Sequence, residues 1–111
     1  MTVSVAIPDA DLGSHGVAYA MAKAADDRLA AAAAVKLREH GVASVAVYPG
    51  WVRTETVLLY AADLDPAGSQ SPEGVGRAIT ALAADPDVMA LTGRALPIGE
   101  LAARYNVDVS T

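Results

Sequence analysis

The 111-residue chain contains no cysteine, no phenylalanine and a single tryptophan, Trp51. Without thiols there is neither a disulfide framework nor a thiolate metal site, a pattern expected of a cytoplasmic protein. Large rings are too few to fill an interior. The core must come from Ala, Val and Leu and from close backbone approach, as where helices lie flat on a sheet. Positive charge is also scarce: eight Lys and Arg stand against thirteen Asp and Glu, a net charge of -5, and no basic cluster occurs. A phosphate-backbone footprint is therefore missing, and nucleic acid is not an expected partner. No apolar run is long enough to cross a bilayer, and the opening MTVSVAIPDAD lacks the basic region of a signal peptide, so no membrane partner is expected either.

What remains is an alanine-rich, helix-forming chain long enough for one small domain, read here as residues 1–111, burying roughly two thirds of its unfolded surface. TVSVAI (2–7), short and rich in β-branched residues, reads as a buried strand stopped by Pro8. From Val17 to His40 there is neither Pro nor Gly, which predicts a long helix with Ser14 as N-cap and Gly41 as its C′ residue. Met21, Ala25, Leu29, Ala33 and Leu37 recur at helical spacing and are expected to form its buried face. VASVAVY (42–48) reads as a second buried strand, ended by Pro49-Gly50.

Residues 55–70 are expected to be irregular. Ser71-Pro72-Glu73 then opens a helix running to about Ala84, with Ser at the N-cap, Pro at N1 and an acid in the first turn. RALPI (94–98) is a last strand and GELAARYN a short terminal helix. The order β-α-β-α-β-α predicts an α/β fold: a small parallel sheet of about three strands flanked by helices. Its first strand would lie at an open edge, so either further strands or a second copy are expected to cover it.

The chemistry sits at YAMAK, where Tyr19 and Lys23 lie one helical turn apart and leave the same face. A phenol titrating near ~10 is a poor acid-base catalyst at neutral pH, and a nearby ammonium favours its phenolate. Asp27, a further turn along, offers Lys23 an ordinary i,i+4 ion pair, the structural alternative for the same spacing. His15 and His40 have no second ligand at metal spacing and are expected to be a loop residue and a helix-end residue.

YAMAKAADDRLAAAAAVKLREHGVASVAVYPGWVRTE, with its YxxxK helix, following strand and PGxVxT turn, resembles the short-chain dehydrogenase/reductase family. SPEGVGRAITALAADPDVMALTGRALPIGELA is similar to the family's carboxyl-terminal tail, so the likeness covers nearly the whole chain. It implies the C-terminal part of a Rossmann-like fold and an NAD- or NADP-dependent oxidoreductase acting on a small carbonyl or alcohol; independently, the open edge of strand 2–7 and the small-residue face of the long helix predict a homo-oligomer, most simply a two-fold dimer. By the same resemblance Tyr19 is the catalytic acid/base. Lys23 assists it and contacts the nicotinamide ribose. Pro49 and Gly50 admit the nicotinamide, Val52 contacts its carboxamide through the backbone, and Thr54 does so through its hydroxyl. Leu58, Leu59 and Tyr60 fall in the family's substrate-covering segment.

Two features depart from the family. These 111 residues hold no glycine-rich GxxxGxG turn for a pyrophosphate; Gly13 and Gly16 in DLGSHG do not make one. Met1 is then expected to mark a truncated gene, an internal start or a processed product. The position of the family's catalytic serine falls at or near Ala6, with Ser4 and Ser14 as poor substitutes. The expected reading is a truncated enzyme, inactive alone, and the alternative is a non-catalytic oligomeric interaction module derived from the family.

Overall fold

The computed structural model describes residues 2–3, 16–63 and 65–111. They fall into two compact units: residues up to Tyr48 with Asp87–Leu96, and Pro49–Pro86 with Pro97–Thr111.

In the first unit, β1 (Thr2–Val3), α1 (Val17–Leu37) and β2 (Ala46–Tyr48) follow one another, and β3 (Ala95–Pro97) begins at its far end. The sheet order is β1-β2-β3. β1 and β2 are parallel, with Thr2 opposite Ala46 and Val3 opposite Val47, as a strand–helix–strand crossover requires. On the other side of β2, the Ala46 N–H donates to the Arg94 carbonyl at 3.1 Å. Val45, Ala46, Val47, Leu91 and Leu96 are buried and form this unit's core with α1. The remainder of the predicted first strand, residues 4–7, lies outside the described residues.

α1 departs from the sequence expectation in three ways. Its N-cap is Gly16 with no side-chain capping bond, and the expected cap, Ser14, lies outside the described residues. The α-helix ends at Leu37, continues as a 3-10 turn over Arg38–His40, and stops where Gly41 turns left-handed at φ 69°, its N–H bonded to the Arg38 carbonyl. The buried face is also not the expected one. Ala30 and Ala34 are the buried residues, whereas Met21 is 68% and Leu29 61% exposed. Alanine occurs all round this helix, so periodicity could not single out a seam. The sheet side takes the smallest side chains because α1 comes close: the buried Ser44 hydroxyl donates to the Ala30 carbonyl in mid-helix at 2.9 Å. Ser44 in turn receives a bond at its carbonyl from Gly93 N–H (2.7 Å) and gives its own N–H to Thr92 Oγ1 (2.9 Å).

The second unit holds α2 (Glu55–Tyr60), α3 (Pro72–Ala84) and α4 (Ile98–Tyr105). α3 starts as its sequence predicts, Ser71 Oγ accepting from the Gly74 N–H at 2.9 Å with Pro72 and Glu73 in the first turn. It packs on α4 through buried Ala78, Leu82, Ile98 and Leu101. Burying a Leu or Ile side chain contributes about 1.5–3 kcal/mol as an upper estimate. The segment expected to be irregular is partly helical: Thr54 caps α2, and Asp65 caps a 3-10 turn at Pro66–Gly68. A six-residue helix is too short for an apolar period to show in the sequence.

After α4, Asn106 turns left-handed (φ 51°) and residues 107–111 return to the start of α3. The Ser71 N–H donates to the Val109 carbonyl at 3.0 Å, and Arg77 donates to the carbonyls of Asp108 (2.9 Å) and Thr111 (2.6 Å). The buried Gly74 lies so close beneath that a Cβ there would stand 2.3 Å from the Val109 oxygen. Among the described residues no helix is long and apolar enough to cross a membrane.

Candidate active site

Tyr19 and Lys23 lie in the opening turns of α1, in the first unit. The one-turn spacing brings them together: Lys23 Nζ is 5.8 Å from the centre of the Tyr19 ring. Tyr19 is 46% exposed. Lys23 also pairs with Asp26 Oδ2 at 3.7 Å. Asp27, the expected ion-pair partner, is turned elsewhere, where its Oδ2 accepts from the Tyr48 hydroxyl at 2.9 Å. Its other oxygen is buried without a hydrogen-bond partner. Burial, then the bond to Asp27, then that carboxylate's charge push the Tyr48 phenol above its ordinary pKa. Ala6, Ser4, Ser14 and His15 lie outside the described residues. His40, at the end of the 3-10 turn, is 3.4 Å from Glu39.

Pro49, Gly50, Val52 and Thr54 belong to the second unit. Gly50 turns the chain with φ 74°, a conformation that a side chain would strain. The turn is then fastened to Gln70 by a parallel bridge in which Gln70 N–H donates to the Trp51 carbonyl and Arg53 N–H donates to the Gln70 carbonyl, both at 2.8 Å. In that pattern the N–H and C=O of Val52 face away from Gln70. The Val52 carbonyl accepts from Thr54 N–H at 2.8 Å, and its N–H is the donor aimed outward. Thr54 Oγ1 accepts from the Val57 N–H at 3.3 Å as the cap of α2, so the hydroxyl still has its proton to donate.

The Gln70 side chain adds to the bridge. With its NH2 turned to the strand, it donates to the carbonyls of Trp51 (2.9 Å) and Pro49. Arg53 fixes the far end, its guanidinium donating to the Pro66 carbonyl (3.1 Å), to Ser69 Oγ (2.6 Å) and to the Ser110 carbonyl. Beside it an open groove of about 540 Å³ runs along Arg53, Thr54, Glu55, Thr56, Pro72 and Glu73. Its two carboxylates make it unsuited to a pyrophosphate. Sequence reasoning missed Gln70, Arg53 and the Tyr48–Asp27 pair, because each acts through a partner distant in the chain. Among the described residues no group of three His, Asp or Glu could hold a metal ion.

No family model matches the chain. It is 38% identical over 120 residues to mouse "Dehydrogenase/reductase SDR family member 1", a match covering 96% of this chain and 38% of that protein. The human protein of the same name is 38% identical over 104 residues, covering 82% of this chain and 33% of the relative. The chain thus spans little more than a third of the length of these curated relatives. With a parallel β1–α1–β2 unit and this likeness along most of its length, the chain belongs to the short-chain dehydrogenase/reductase family.

Proposed function

We propose that the chain is the carboxyl-terminal, catalytic portion of an NAD- or NADP-dependent oxidoreductase that acts on a small carbonyl or alcohol, in the cytoplasm and as a homo-oligomer. The observation that carries this reading is the ammonium of Lys23 standing 5.8 Å from the Tyr19 ring. Tyr19 gives its phenolic proton to the carbonyl oxygen in reduction and takes one from the alcohol in oxidation. Lys23, beside the Tyr19 ring, contacts the nicotinamide ribose. A bound nicotinamide supplies the hydride exchange. The residues of the turn fit such a ring: Gly50 allows backbone approach, Val52 offers an outward N–H, and Thr54 retains a hydroxyl proton for a carboxamide.

Most dinucleotide affinity comes from contacts to the pyrophosphate and adenosine, and the 111 residues contain no GxxxGxG turn to supply them. The chain alone is therefore expected to be inactive and not to bind NADH or NADPH at micromolar concentration, read by Trp51 fluorescence. Micromolar binding by this chain would overturn that part of the reading. Supplied with a glycine-rich nucleotide-binding half, the chain is expected to turn over, with Tyr19→Phe reducing kcat by about 100-fold or more. Unchanged turnover in that variant would remove Tyr19 from the chemistry. An in-frame glycine-rich strand–helix segment in the coding DNA upstream of Met1 would supply that half directly.

The second reading, a non-catalytic interaction module, is favoured by one observation. The outward side of α1 carries exposed Val17, Met21, Leu29 and Val35, alongside exposed Arg28 and Lys36. Turnover in the complemented chain separates the two readings.

A further inference from the structure

We infer that Gln70 is the positioning residue of the 49–54 turn, holding the Val52 N–H in the direction in which it meets a nicotinamide carboxamide. The inference rests on the nicotinamide reading of the turn given above. No motif singles out Gln70, which stands between a 3-10 turn and the cap of α3.

The turn has few internal bonds of its own. Gly50 is left-handed and Pro49 has no N–H, so the segment between them and Thr54 is not held by a helix or a regular strand. Gln70 supplies the missing partners with both its backbone and its side chain. Its N–H and C=O bridge Trp51 and Arg53, and its amide donates to the Trp51 and Pro49 carbonyls. One residue therefore satisfies the groups on either side of Val52 that point inward, which leaves the Val52 N–H pointing outward.

The tip of the amide also lies 3.2 Å from where a Cβ on Gly50 would stand, so side chain and glycine fit each other. The role demands two N–H donors at neutral pH. A glutamate would present a carboxylate to two carbonyl oxygens, and a leucine would present nothing.

The experiment compares the full chain with Gln70→Leu and Gln70→Glu by NMR, following the protection of the two bridge amides, at position 70 and at Arg53, and the response of the Val52 amide to millimolar NAD. In Q70L the amides of α3 and α4 keep their protection, while those of position 70 and Arg53 lose about 10-fold, the equivalent of one lost bond. In Q70E a protonated carboxyl has one O–H to give in place of two N–H, so the turn regains part of its protection below pH ~4 and behaves as Q70L above pH ~7. Relative to the intrinsic exchange rate at each pH, the wild-type protection is constant over that range, because a carboxamide does not titrate. NAD shifts the Val52 amide in the wild type and in protonated Q70E, and not in Q70L.

Equal exchange in wild type and Q70L, or a Q70E turn indifferent to pH, overturns the role of Gln70 whatever NAD does. If exchange responds as stated but NAD moves the Val52 amide in none of the proteins, it is the nicotinamide reading that falls, and the positioning role toward it falls too. Should Q70L not fold, the pH profile of Q70E decides the question by itself.

Discussion

The hydroxyl of Tyr48 donates to Asp27 Oδ2 at 2.9 Å, joining the last residue of β2 to the helix that carries Tyr19 and Lys23. The bond also keeps the Asp27 carboxylate from Lys23, one turn away, whose ammonium meets Asp26 and the Tyr19 ring instead. Asp27 thus anchors α1 to β2, while Asp26 remains the carboxylate beside Lys23.

Tyr48→Phe is expected to cost about 1–3 kcal/mol, because Asp27 already has one buried oxygen without a partner and would lose the donor on the other. The measurement is urea unfolding of Tyr48→Phe, Asp27→Asn and the double variant. A coupling energy above about 0.5 kcal/mol shows that the two residues act as a pair, and strict additivity would dissolve it.

Alkaline pH should weaken the fold through two tyrosines. Burial, then the bond to Asp85 at 2.7 Å, then that carboxylate's charge push the Tyr105 phenol up to about 12, and Tyr48 is raised by burial and Asp27. The folded chain holds these protons more tightly than the unfolded one. Their contribution is therefore fully present below the ordinary phenol value of ~10 and is lost as pH rises through the folded values. Tyr105→Phe should flatten the fall in urea midpoint between pH ~10 and ~12. An unaltered slope in that variant would show that Tyr105 does not carry it.

Much of this fold can be read from local signals, and the failures share one cause. α3 was legible because Ser71, Pro72 and Glu73 each do their work within one turn. The meeting of Tyr19 and Lys23 was legible because helix geometry decides it over four residues. The buried face of α1 was not, since alanine stands on both sides and only the approach of Ser44 selects Ala30 and Ala34. Gln70 and Arg53 were invisible for a similar reason: a glutamine and an arginine have no local signature, and their partners are set by how the chain returns.

Two glycines of α3 should respond in opposite directions to alanine. At Gly74 a Cβ would stand 2.3 Å from the Val109 backbone oxygen, so Gly74→Ala must push the 107–111 segment away and forfeit the bond from Ser71 N–H, a loss of about 1–3 kcal/mol. At Gly76 nothing lies within 4 Å, so Gly76→Ala should gain up to about 1 kcal/mol from helix propensity alone. Thermal unfolding of the two variants, with limited proteolysis after Asn106, measures both effects. A Gly74→Ala protein as stable and as protease-resistant as the parent would refute the close approach.

The outward side of α1 is expected to be an interface between two copies of the chain. At 3.6 residues per turn Val17, Met21 and Val35 share one side with Leu29 beside them, opposite the buried Ala30 and Ala34, and all four are exposed. Ala25 and Ala32 lie between them and let a second helix come near, with exposed Arg28 and Lys36 on the same side, and a two-fold pairing would cover the same stripe on both copies. Each copy carries a net charge of -5, so their repulsion opposes association and added salt should strengthen it. Sedimentation should show a dimer at micromolar protein. The double variant Leu29→Glu/Val35→Glu should weaken association at least ~10-fold without altering the far-ultraviolet circular dichroism, because both side chains already face solvent. A monomer at micromolar concentration in high salt, or a dimer indifferent to the two glutamates, would mean that this stripe is not where the copies meet.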